Sequence, residues 1–303
     1  MPFGNVAWSW VQFVKSRLGD QNLKLFLESA FAFFLMIALS VAADQVHEVE
    51  SLATSDNFRI CCSQGGPPPQ KVLDYCESMR RQLGKLWRNT EELPSWRPVC
   101  KVQLHNSRST YIQAVGSIGA STLGSSLIQL DGGRTISRRI DVLVEPSGEL
   151  PALPHELTHI ILAECFGGNQ PPHWLDEGAA MLADTKQKQL LHERDCRQAL
   201  HQGTAMPLNK ILNLEQFASV DQMPAFYGQS ASLLRFLCQD GDLAKVTRFG
   251  MDATQHGYDQ ALSTHYGITS VAELERRWKN YAFNHNYENA EQSLSVFAVS
   301  FRP

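Results

Sequence analysis

The seven cysteines, at positions 61, 62, 76, 100, 165, 196 and 238, include no C-x-x-C pair. That removes the common thiolate zinc frameworks and the dithiol redox motif. There is no basic surplus either: 27 Lys and Arg face 31 Asp and Glu, a formal net charge of −4. A nucleic-acid-binding face needs such a surplus, so that class is set aside. No internal repeat is present, which excludes solenoids and arrays. No uncharged apolar run reaches the ~20 residues of a membrane span. What remains is a chain of 303 residues, 43% hydrophobic, long enough to bury one large core or two small ones.

The most apolar run is 30–43, AFAFFLMIALSVAA, preceded by Lys15, Arg17 and Lys24. Val41-Ala42-Ala43 before Asp44 fits the small-residue rule for signal cleavage. Residues 1–43 therefore read as an export signal, with an uncleaved anchor through 25–43 as the alternative and a buried core helix as a third reading. The first places the mature protein in the periplasm or outside the cell, and the second holds it at a membrane. Residues 44–56 are polar and read as a linker. An oxidising compartment would permit up to three disulfides and one leftover thiol, and buried free thiols are the other reading.

The densest chemistry lies at His155-Glu-Leu-Thr-His159, followed by His173-Trp-Leu-Asp-Glu177-Gly178. The first piece matches H-E-x-x-H. Residues four apart share a helix face, so His155 and His159 can offer two imidazoles to one metal, with Glu156 beside them. A catalytic zinc takes three protein ligands and leaves one position for water, so a third ligand is required. Glu177 is the candidate. Between the two pieces, Cys165-Phe-Gly-Gly-Asn-Gln-Pro-Pro-His173 holds two glycines and two prolines that stop one helix and re-aim the chain. Pro151 and Pro154 fall in the first turn of the upstream helix, where a missing N–H costs little. Asp176 reads as a solvated helix-start carboxylate. His173 reads as a turn residue, since a fourth ligand would close the catalytic position.

H-E-L-T-H followed by W-L-D-E-G resembles the gluzincin metallopeptidases, in particular the peptidase-MA-like domains related to aminopeptidase N. The resemblance implies one zinc ion held by His155, His159 and Glu177. Glu177 holds the motif position, and Asp176 beside it is the alternative. Tyr227-Gly-Gln-Ser230 is partly similar to the Y-x-x-G helix start whose tyrosine stabilises the oxyanion in that family, with Ser230 where the glycine stands. The other reading of Tyr227 is a core tyrosine with a satisfied hydroxyl, and Gln229 reads as a packing residue. The family also implies an edge strand that pairs with an extended peptide.

The flanking sequence reads as a strand at 57–62, a helix at 72–87 and strands at 99–104, 125–130 and 139–144, with a short helical piece at 111–115. Arg134, Arg138 and Arg139 read as a basic cluster on a solvated turn. Beyond Asp184 everything reads helical: 186–201, 226–239, 242–254, 258–265 and 270–283. The fold class expected is an α/β (α+β) zincin-like domain over 57–283. A mixed sheet packs on the HExxH helix in the first half, 57–165, and 166–283 is the helical half. The tail 284–303 has no assigned role.

The function expected is zinc-dependent peptide hydrolysis, with Glu156 as general base and Tyr227 as oxyanion donor. No G-A-M-E-N-like segment for capturing a free amino terminus is found, which favours an endopeptidase. The partner is a peptide or protein substrate. A membrane is involved only if the N-terminal segment stays attached. The alternatives are a catalytically silent zinc-binding domain in the cell envelope and an anchored interaction protein with an accidental motif.

Overall fold

The computed structural model describes residues 51–284, apart from 63–65, 91, 133, 168 and 218. The chain divides into two units, 1–50 and 51–303, and everything described belongs to the second. The signal or anchor segment 1–43 and all but the first residue of the tail lie outside the described residues. Among the described residues no helix is long and apolar enough to cross a membrane.

The fold is mixed α/β, with one five-stranded sheet and a mostly helical remainder. The strands are β1 (Ser51–Thr54), β2 (Phe58–Cys62), β3 (Cys100–His105), β4 (Gly124–Asp131) and β5 (Arg134–Leu143). Their spatial order is β1-β2-β3-β5-β4. The inner strands β2, β3 and β5 run parallel, and β1 and β4 are antiparallel edges. Of the segment read as a linker, Ser51–Thr54 forms the edge strand β1. Its few polar residues carry too little alternation to announce a strand.

Alternate residues set the sheet's two faces. Phe58, Ile60 and Cys62, then Cys100, Val102 and Leu104, then Ile140 and Val142 all enter one core. Helix α1 (Pro69–Arg88) supplies Val72, Cys76, Met79, Leu83 and Trp87 to the same cluster. Pro69 opens α1 at a position that needs no N–H, and Asn89 ends it with φ 54°. Arg138 and Arg139 are strand residues, not turn residues. The Arg138 guanidinium stacks 5.2 Å from the Trp96 ring centre and donates to Pro98 O at 2.7 Å, while Arg139 pairs with Asp141.

After the short α2 (Arg108–Val115) and the β4–β5 hairpin, the chain is helical among its described residues. The helices are α3 (Leu153–Cys165), α4 (His173–Leu182), α5 (Lys186–Gln202), α6 (Leu208–Leu212), α7 (Met223–Leu237), α8 (Leu243–His256), α9 (Tyr258–Tyr266) and α10 (Val271–Asn284). All seven cysteines are free thiols, six of them buried.

Two glycines bring helices unusually close. A Cβ on Gly178 of α4 would lie 2.9 Å from Ser230 O of α7. A Cβ on Gly228 of α7 would lie 2.5 Å from His192 O and 2.7 Å from Cys196 N of α5. These neighbours are backbone atoms and cannot swing aside, so both contacts demand a residue without a side chain. Gly228→Ala is expected to force α5 and α7 apart and to cost about 1–3 kcal/mol, the usual range for overpacking. Urea unfolding measures it, and a variant as stable as the parent would show that the contact does not constrain the two helices.

Candidate metal centre

Helix α3 carries H-E-L-T-H. Pro154 sits in its first turn, and Thr158 Oγ1 donates back to Pro154 O at 2.8 Å. At the other end Glu164 is fixed by Trp96 Nε1 at 2.7 Å and by Arg88 at 3.4 Å. The C-terminal end is thus tied to the sheet half through Trp96 and Arg88, while the Thr158 bond stays within the helix. Helix α4 is anchored by Trp174, whose Nε1 donates to Tyr258 at 3.0 Å, while Tyr258 in turn donates to Leu212 O at 2.9 Å.

These anchors converge three donors. One ligand atom from each of His155, His159 and Glu177 lies within 4.8 Å of the others. A tetrahedral zinc with bonds of about 2.0–2.2 Å holds its ligands roughly 3.5 Å apart, a gap that small side-chain rotations close. Two imidazoles and one carboxylate suit a borderline dication of the zinc kind. Asp176, the alternative third ligand, stands elsewhere. Its Oδ1 is 3.0 Å from His159 Nδ1, behind the ring. The reading of Asp176 as a solvated carboxylate is thereby corrected. On the other ring, Asp184 Oδ2 is 3.3 Å from His155 Nδ1. Neither contact is aligned as a full hydrogen bond, yet each sets a carboxylate behind a ring and leaves its Nε2 for an ion. Such backing carboxylates fix the tautomer and raise ligand basicity.

The charges are unusual for so enclosed a space. Burial works against the His159 imidazolium, but Asp176, Glu177 and Glu156 overcome it and raise its pKa to about 10. Burial opposes the His155 imidazolium too, and chiefly Asp184 reverses it, so that pKa is also raised. Burial would lift Glu177, but the neighbouring His173 and the charges on His159 and His155 bring it down to about 2. Asp184 is held far below the ordinary carboxylate range despite burial, by His155, His192 and Lys188. This cluster demands positive charge, which protons on the two histidines supply and a dication replaces.

Glu156 is buried and packs against the first residue of edge strand β4. A Cβ on Gly124 would come within 2.6 Å of its Oε1. Tyr227, on α7, lies close enough to Glu177 for that carboxylate to add to the rise in its pKa, after the larger effect of burial. Its hydroxyl makes no hydrogen bond among the described residues, unlike a satisfied core tyrosine. His173 opens α4 with Nε2 3.8 Å from Glu177 Oε1. Gln229 is a core residue whose amide bonds both Met206 N and Met206 O at 2.9 Å.

Sequence reasoning missed Asp184 and His192. Asp184 stands seven residues past Glu177, just beyond the end of α4 at Leu182, and a carboxylate so near the motif was the available signal. Zinc affinity, measured by competition with a chromogenic chelator, is expected to fall most in Glu177→Ala. Asp176→Ala and Asp184→Ala should each lose about 10–100-fold, the usual cost of removing a ligand's backing partner. Unchanged affinity in Glu177→Ala would remove the ligand assignment. Compared with models of known protein families the chain matches none, and no curated protein matches it either.

Proposed function

We propose that this chain is a zinc-dependent endopeptidase with a zincin-like fold, resembling the gluzincins. The observation that carries the reading is the convergence of His155, His159 and Glu177 from two helices, with an intact glutamate, Glu156, in the turn between the two histidines. A zinc ion there would supply Lewis acidity, polarising a carbonyl and acidifying water toward ~7.

The chain's own residues supply the rest. The peptide lies extended along β4, the sheet edge on the α3 side, so its backbone pairs with a strand that has one free flank. The contact of Glu156 with Gly124 then sets the base at the point where that strand begins. Glu156 accepts the proton of the attacking water and returns it to the leaving amine. The Tyr227 phenol, kept protonated by burial and by Glu177, donates to the oxygen that gains charge. The silent zinc-binding alternative is disfavoured because loss of Glu156 would be its signature, and Glu156 is present.

Glu156→Gln should retain zinc and lose peptide hydrolysis by ~10²–10⁴-fold, because the amide cannot take the proton. Turnover at the parent rate in a zinc-loaded Gln variant would place the base elsewhere. Tyr227→Phe should lower kcat by roughly 10²–10³-fold with KM and zinc content nearly unchanged, the pattern of an interaction made only in the transition state. Since the hydroxyl has no internal hydrogen bond to lose, the melting temperature should stay put. A normal kcat would remove Tyr227 from the mechanism.

A further inference from the structure

Beside the metal centre stands an aromatic wall that the hydrolytic mechanism does not use. Phe217 lies between α6 and α7 and is half-buried. Its ring centre is 5.6 Å from His173, 5.1 Å from Phe226 and 5.9 Å from Tyr227. His173 in turn stacks 4.8 Å from Phe226 and approaches Glu177. Phe226 is fully buried and serves as backing, whereas Phe217, Tyr227 and His173 each keep part of their surface exposed. The wall therefore joins the ligand Glu177 and the oxyanion donor on one side of the site. Glu156 and the start of β4 hold another side through Gly124.

An extended peptide on β4 projects its side chains alternately to either side of its backbone. A residue at the scissile bond is thus positioned to reach the aromatic rings. Asp176, Asp184 and Glu177 face His159, His155 and His173, and the wall itself offers ring faces and edges. We infer that Phe217 is a specificity-determining residue, and that the substrate carries a large apolar or aromatic side chain next to the scissile bond. Ring faces and edges reward such a side chain with offset or edge-to-face packing, and they leave a small or acidic one unrewarded. The inference rests on the peptidase reading above.

The test uses the full-length, zinc-loaded Glu156→Gln protein and dye-labelled dodecapeptides that differ only in a central Phe, Leu, Gly or Asp. Binding is followed by fluorescence anisotropy, and the parent enzyme is assayed for cleavage of the same peptides. The Phe and Leu peptides should bind at least about 10-fold tighter than the Gly and Asp peptides, the scale on which an apolar pocket discriminates. Adding Phe217→Ala should abolish that preference while leaving Gly and Asp binding and zinc content unchanged. Phe217→Leu keeps an apolar wall and should retain preference for Leu, which covers the case in which the alanine variant fails to fold. Equal binding of all four peptides, or an equal loss for all four in Phe217→Ala, overturns the inference. Cleavage of all four at similar rates overturns it and leaves the peptidase reading standing. Discriminating binding without cleavage by the parent enzyme sinks the peptidase reading and keeps the wall as a recognition surface.

Discussion

Two imidazoles and four carboxylates share a space that solvent only partly reaches. Such a group cannot be held by charge alone, because Glu156, Asp176, Glu177 and Asp184 repel one another unless a cation stands among them. Helix packing has to supply the constraint. Helix α3 is pinned at its C-terminal end through Glu164, α4 is pinned through Trp174, and Gly178 lets α7 lie directly on α4. The first holds His155 and His159, the second Glu177 and the third Tyr227, and the sheet gives α3 the platform on which it lies.

The glycine of the E-G pair acquires a role here that has nothing to do with catalysis. It lies against the Ser230 backbone one helical turn beyond Tyr227, so the closeness of α4 and α7 is what brings the phenol to Glu177. Gly228, next to Tyr227, does the same between α7 and α5, the helix that carries His192. Tyr227 is thus held by two close backbone approaches, which leaves its own hydroxyl free of internal partners.

Much of this arrangement was legible beforehand, for identifiable reasons. Apolar spacing near 3.6 residues marked α1, α7 and α10, Gly and Pro between 167 and 172 marked the turn from α3 to α4, and the short α6 went unread. H-E-x-x-H alone is only moderately specific, and the search for a third donor followed from the coordination a catalytic zinc would need, which led to Glu177. Other features depend on tertiary placement and leave no local pattern. Asp176 reads as solvated until α4 is laid across α3. Asp184 becomes meaningful only when it meets His155. The strand order that puts β4 at the edge, the strand β1 and the Phe217 wall are all set by long-range packing. The thiols were undecidable from spacing, and they turn out free.

Those seven thiols bear on which elements the centre can recruit. Burial raises the pKa of every one of them, to about 12 for Cys100, Cys165 and Cys196, so all stay protonated at neutral pH. A protonated, enclosed sulfur is a poor ligand. Soft ions such as copper(I) or cadmium, which seek thiolate, find no ready thiolate among the described cysteines. An ion at His155, His159 and Glu177 would be one that accepts nitrogen and oxygen, where affinity rises along the first-row series and availability settles the rest.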